Sequence, residues 1–101
     1  MEGTYAAKLE INNVSIPLED FPEQVVARSI AGAVSTLKGT DKIESIELTM
    51  LHGEVKLLVN STEVELTHFP NQIIASLVAG AVSPLKGAED TDNVSITITI
   101  S

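Results

Sequence analysis

The chain has 101 residues, a formal charge of −8, 44% hydrophobic residues and no cysteine, and its only aromatics are Tyr5, Phe21 and Phe69. That length suits a single domain, here 1–101, with a core of its own, and the apolar fraction argues against disorder. Disulfides, thiolate metal sites and cysteine nucleophiles are excluded, and six scattered basic residues make no footprint for a nucleic acid.

The chain opens Met1-Glu2-Gly3-Thr4, without the basic and apolar regions of a secretory leader. Its most apolar run, Ile73 to Val82, is too short to span a bilayer. With no cysteine, a reducing compartment fits. The expectation is a cytoplasmic protein with no membrane partner.

From the N-terminus, Ala7, Leu9 and Ile11 alternate with Lys8 and Glu10, the period of a half-buried strand. Asn12-Asn13 is a turn pair, and Val14, Ile16 and Leu18 alternate again. A two-residue turn would set Ile11 opposite Val14, Leu9 opposite Ile16 and Ala7 opposite Leu18, so that every apolar residue shares one face. Pro17 points to an edge or to a position whose N–H faces solvent.

A helix is predicted from Pro22 to Lys38. Proline suits the first turn, Asp20 could cap with Glu23 reaching back, and Leu37-Lys38-Gly39 reads as a helix stop. Val26, Ile30, Ala33, Val34 and Leu37 form its core stripe. A third strand, Ser45 to Met50, follows. His52-Gly53 is then a hairpin turn that sets Met50 opposite Val55, Leu48 opposite Leu57 and Ile46 opposite Val59.

From here the chain repeats itself. The stretch from Lys56 to Gln72 aligns with Lys8 to Gln24 at an offset of 48. The helix FPEQVVARSIAGAVSTLKG recurs as FPNQIIASLVAGAVSPLKG, with 12 of 19 residues identical. The closing SITITI (Ser95 to Ile100) matches SIELTM (Ser45 to Met50) at an offset of 50, which places two extra residues in the acidic loop AEDTDN. Asn60-Ser61 supplies the hairpin turn, with Val59, Leu57 and Val55 opposite Thr62, Val64 and Leu66. The second helix carries Ile74, Val78, Ala81, Val82 and Leu85 as its stripe. Pro84, which cannot donate to the Gly80 carbonyl, is expected to tighten its last turn and make the copies differ.

The fold expected is α+β: a two-layer sandwich from tandem ββαβ duplication, with repeats at about 5–50 and 53–101. About six mostly antiparallel strands carry two helices on one face, joined by right-handed strand–helix–strand crossovers.

Little in the chain speaks of chemistry. His52 and His68 have no second histidine at ligand spacing, GAEDTDN (Gly87 to Asn93) lacks the glycine and final glutamate of a calcium loop, and no phosphate-loop or nucleophile-elbow motif occurs. No metal or cofactor is expected, and binding or assembly is a better reading than catalysis. Two features lack a structural cause in the sequence. Gly32 and Gly80 interrupt the helices, beside Ala31 and Ala79, which suggests close approach by the sheet or by another helix. The second helix also has no charge between His68 and Lys86, leaving Ile73, Leu77 and Gly80 apolar. An interface through Ile73, Leu77, Gly80, Ala31 and Gly32 is therefore expected, most simply a homodimer through the helix layer, with another protein as partner also open. The alternative is a small-ligand protein with an apolar pocket between helices and sheet.

Overall fold

The computed structural model describes residues 4–37, 42–85 and 93–101. The fold is α+β. Strands β1 (Tyr5–Ile11) and β2 (Val14–Ile16) precede helix α1 (Asp20–Val34). Then follow β3 (Ser45–Leu51), β4 (Glu54–Val59), β5 (Thr62–Val64), helix α2 (His68–Val82) and β6 (Asn93–Ile100). The strands form one open sheet in the order β2-β1-β6-β3-β4-β5, antiparallel at every pairing.

That order decides three points that alternation leaves open. First, β6 lies between β1 and β3, so neither half of the chain has a continuous sheet of its own. Second, β2 and β3 run in opposite directions, as do β5 and β6. The helical links therefore join antiparallel strands, and the right-handed crossover expected for parallel strands does not arise. Third, the register corrects the offset in the last strand. Leu9 faces Ile96 and, 48 residues on, Leu57 faces Leu48. The Asn12 N–H donates to the Asn93 carbonyl at 2.8 Å, as the Asn60 N–H does to Ser45 at 2.9 Å. The helices and the third strands start 48 residues apart, at Asp20 and His68 and at Ser45 and Asn93, so the segments before β3 and β6 are of equal length. Leu48 pairs with Ile96, its own counterpart.

All three hairpins close through two residues of positive φ: Asn12 and Asn13 (53° and 66°), His52 and Gly53 (51° and 82°), and Asn60 and Ser61 (52° and 69°). This is the turn whose twist matches the strands, so the predicted registers around it hold for their first rungs. Asn60 does more. Its Oδ1 accepts from the N–H groups of Glu44 (2.7 Å) and Ser45 (3.0 Å), and its Nδ2 donates to the Lys42 carbonyl. The turn thereby aligns the chain entering β3.

The expected third rungs, Ala7 with Leu18 and Val55 with Leu66, do not form, because β2 ends at Ile16 and β5 at Val64. The helices take the vacated edge instead. Glu23 Oε2 accepts the Ala7 N–H at 2.9 Å, and Gln24 Nε2 donates to the Tyr5 carbonyl at 2.9 Å. In the second half Asn71 does both, accepting from Val55 N–H at 2.8 Å and donating to the Gly53 carbonyl at 3.1 Å. Engaged there, Glu23 does not reach back over the helix start; α1 begins at Asp20, with Glu19 at the cap and no side-chain cap bond.

The helices also end earlier than the Leu-Lys-Gly signals suggest; Lys38, Gly39, Lys86 and Gly87 lie outside the described residues. In α1 the tightening begins at Thr36, whose N–H bonds the Ala33 carbonyl at 3.2 Å, while the Ser35 hydroxyl takes Gly32. Position 36 thus makes no bond to position 32, so Pro84 forfeits no bond to Gly80, but it cannot make the N–H bond that Thr36 gives the Ala33 carbonyl. Leu85 N–H bonds Val82 just as Leu37 N–H bonds Val34, so the two ends share that bond and differ at positions 36 and 84, where Thr36 alone bonds the Ala33 carbonyl.

One core joins these elements. Leu9, Leu48, Leu57, Ile96 and Ile98 from the sheet are buried with Val26, Ile30 and Val34 of α1 and Ile74, Val78 and Val82 of α2. Of the predicted stripes, Ala33, Leu37, Ala81 and Leu85 are only half-buried, and on α1 the buried flank is Ala27 and Ala31. α1 lies against β1, α2 against β4, and the helices touch. Lys8, Glu10, Glu47, Thr49, Lys56, Glu63, Thr97 and Thr99 point to solvent.

Two predictions follow from the turns and the helix clamps. Ser61→Gly creates an Asn-Gly turn and relieves a left-handed L-residue, and should raise the unfolding free energy by roughly 0.5–1 kcal/mol in urea titration after the chain-entropy cost of glycine. Asn71→Ala should lower it by about 1 kcal/mol and speed hydrogen exchange at the Val55 amide selectively.

Candidate interaction surface

A helix lying on a sheet turns one stripe inward and the opposite stripe outward, and here the outward stripe is unusual. On α1 it runs Phe21, Val25, Arg28, Gly32; on α2 it runs Phe69, Ile73, Ser76, Gly80. These positions follow at steps of four, three and four, one helical face. Both phenylalanines of the chain stand on it, 78% and 68% exposed, with Val25 at 38% and Ile73 at 48%. The helices bear few charges: Asp20, Glu23 and Arg28 on α1, and none on α2 apart from the titratable His68. Glu23 is turned toward the Ala7 amide, and Arg28 stacks 4.4 Å from the Tyr5 ring centroid while its Nε donates to Gln24.

Two apolar clefts open where the end of one helix meets the start of the other. One, of about 300 Å³, is lined by Ala33, Thr36 and Leu37 of the first half and by Phe69, Pro70, Ile73 and Ile74 of α2. The other, of about 230 Å³, is lined by Phe21, Pro22 and Val25 and by Ala81, Pro84 and Leu85. Every lining residue of the second cleft has its counterpart, 48 positions away, in the first. A third groove of about 500 Å³ runs along the other flank of α1, lined by Tyr5, Arg28, Ala31, Gly32, Ser35, Ile43 and Ile100. Its residues are not repeated in the second half: Arg28 becomes Ser76 and Tyr5 becomes Gly53.

The residues singled out from sequence fall into different places. Ile73 and Gly80 are on the outward stripe, and Leu77 is half-buried beside it. Gly32 is also outward, whereas Ala31 is only 6% exposed and lies beneath. The structure corrects one expectation about the glycines. A Cβ placed on Gly32 or Gly80 would meet nothing within 4 Å, so neither the sheet nor the other helix of the same chain approaches them. Sequence reasoning missed Phe21, Val25 and Phe69. A helical wheel contains the signal: Phe21 is five residues from Val26, about 140° around the helix from the core stripe.

His52 lies in a turn and His68 is exposed at the start of α2. Among the described residues no group of three histidine, aspartate or glutamate side chains is placed to hold a metal, and no helix is long and apolar enough to cross a membrane. Glu89, Asp90 and Asp92 of the acidic loop lie outside the described residues.

Since none of the described residues would crowd a Cβ at position 80, Gly80→Ala should stabilise the isolated chain by roughly 0.5–1 kcal/mol, read by thermal unfolding at low protein concentration.

No protein-family model matches the chain, and no curated protein or solved structure compared with it is significantly similar.

Proposed function

We propose that this chain is a non-catalytic binding and assembly protein. In this reading it is a two-layer sandwich built by tandem duplication of a ββαβ unit, a single domain of two repeats, that works in the cytoplasm and self-associates through its helix layer, most simply as a twofold dimer. The observation that carries the reading is the placement of both phenylalanines, with Val25 and Ile73, on the outward stripe of the helices. Burying a large apolar side chain is worth about 1.5–3 kcal/mol, and the chain forgoes that gain at four positions on one side. An exposed apolar patch of this kind marks an interaction surface.

Charge supports the same side. Two chains of −8 repel, and the strands carry Glu10, Glu47 and Glu63, with Lys8 and Lys56, to solvent, whereas the helices bear few charges. The glycines fit as well: with none of the described residues within 4 Å of where a Cβ would sit, they leave room for the close approach of a partner helix.

The second reading, a small-ligand protein, has the groove beside Arg28 in its favour. That groove is open to solvent, and its guanidinium is already stacked on Tyr5, so it is the weaker of the two.

Size-exclusion chromatography with light scattering tests the proposal. The expected result is twice the chain mass at micromolar concentration, with association strengthened in 1 M salt as the repulsion is screened. A monomer at high micromolar concentration would refute it.

A further inference from the structure

We infer that the two clefts at the ends of the helix pair are sockets for phenylalanine side chains of a second copy, so that two chains dock face to face across their helices. The inference rests on the self-assembly proposed above and specifies how it is made.

The two clefts, of about 300 and 230 Å³, each exceed the ~150 Å³ in which benzene is held in a protein interior, so each has room for one aromatic ring. Each is rimmed by a phenylalanine that projects away from its own chain rather than filling the space beside it. A twofold interface needs knob and socket on the same patch, because whatever one copy inserts the other must receive. This patch has two of each, in counterpart positions. That self-complementarity selects a second copy over an unrelated ligand.

Size and charge agree. The chain measures 34 × 33 × 19 Å, and its broad side, on the order of 1,000 Å² in projection, is enough for the ~800 Å² each partner buries in a stable complex. Docking through the opposite side would set the charged strand faces of two acidic chains, Glu10, Glu47 and Glu63 with Lys8 and Lys56, against each other and desolvate them. Among the described residues, docking through the helices meets fewer charges, Asp20 and Arg28 on α1 with Glu19 before it.

The test uses the full chain. Phe69→Ala should raise the dissociation constant at least roughly tenfold in sedimentation equilibrium, and Phe21→Ala with Phe69→Ala further still, as expected of central aromatic anchors. The circular dichroism of the variants should stay that of the parent, because both rings are exposed. Val14→Ser, also exposed but on edge strand β2, should leave the constant unchanged. As an independent readout, Phe69→Trp introduces the chain's sole tryptophan, and its emission should shift to the blue as concentration rises. A dimer with an unaltered constant in the double variant, or with red, concentration-independent emission, would overturn the sockets while leaving self-assembly standing. A monomeric parent would overturn both and give the clefts to another occupant.

Discussion

The antiparallel ladder between β3 and β6 holds the two halves of this protein together. It runs from Ser45 opposite Thr99 to Leu51 opposite Asn93, down the middle of the sheet. Because β6 separates β1 from β3, the hairpin of the first half is completed by the last strand of the second, and the reverse holds for β4 and β3. A half-chain alone would leave one edge of its hairpin unpaired and half of the core exposed, and a unit of about 48 residues is already close to the lower limit for independent folding. Interleaving makes the two halves a single cooperative unit.

A sheet organised in this way has two free edges, and both are kept short. β2 and β5 are three residues each. Beyond them β1 and β4 would present bare N–H and C=O groups, the template on which other chains add strands. The first turns of the helices occupy those groups through Glu23 and Gln24 in one half and Asn71 in the other. This accounts for Glu23, Gln24 and Asn71, which follow Phe-Pro in the two helices: they bond the end of a strand. It also fixes where each helix begins relative to the sheet, which sends Phe21 and Phe69 outward.

The edges are thus blocked and the strands' outer face is charged, while the helix side stays apolar and nearly neutral. The asymmetry is electrostatic as much as hydrophobic. Fourteen acidic residues against six basic ones keep such a chain soluble and make most of its surface unfriendly to a copy of itself. One side is exempt, and that side carries the knobs, the clefts and the uncrowded glycines.

Much of this was legible in the sequence. Alternation located the strands, and Asn12-Asn13, His52-Gly53 and Asn60-Ser61 announced turns that require positive φ. The spacing of Val26, Ile30 and Val34, and of Ile74, Val78 and Val82, identified the buried side of each helix. These are local properties, carried by a residue and its near neighbours. Ile73 and Gly80 were legible as surface candidates for the same reason.

Tertiary structure decided the rest. Strand period is two, so matching Ser95–Ile100 to Ser45–Met50 at an offset of 50 or of 48 preserves the same apolar pattern; only the pairing of Leu9 with Ile96 and Leu57 with Leu48 chooses 48. The third hairpin rungs were lost to Glu23 and Asn71, acceptors sixteen residues away that no local pattern could weigh against a strand partner. The vacancy around Gly32 and Gly80 likewise belongs to the assembled fold. Backbone preference and apolar period act over a few residues and are written in the chain; which distant group satisfies a given N–H, and which side chain is left facing water, is settled only when all the elements compete for the same space.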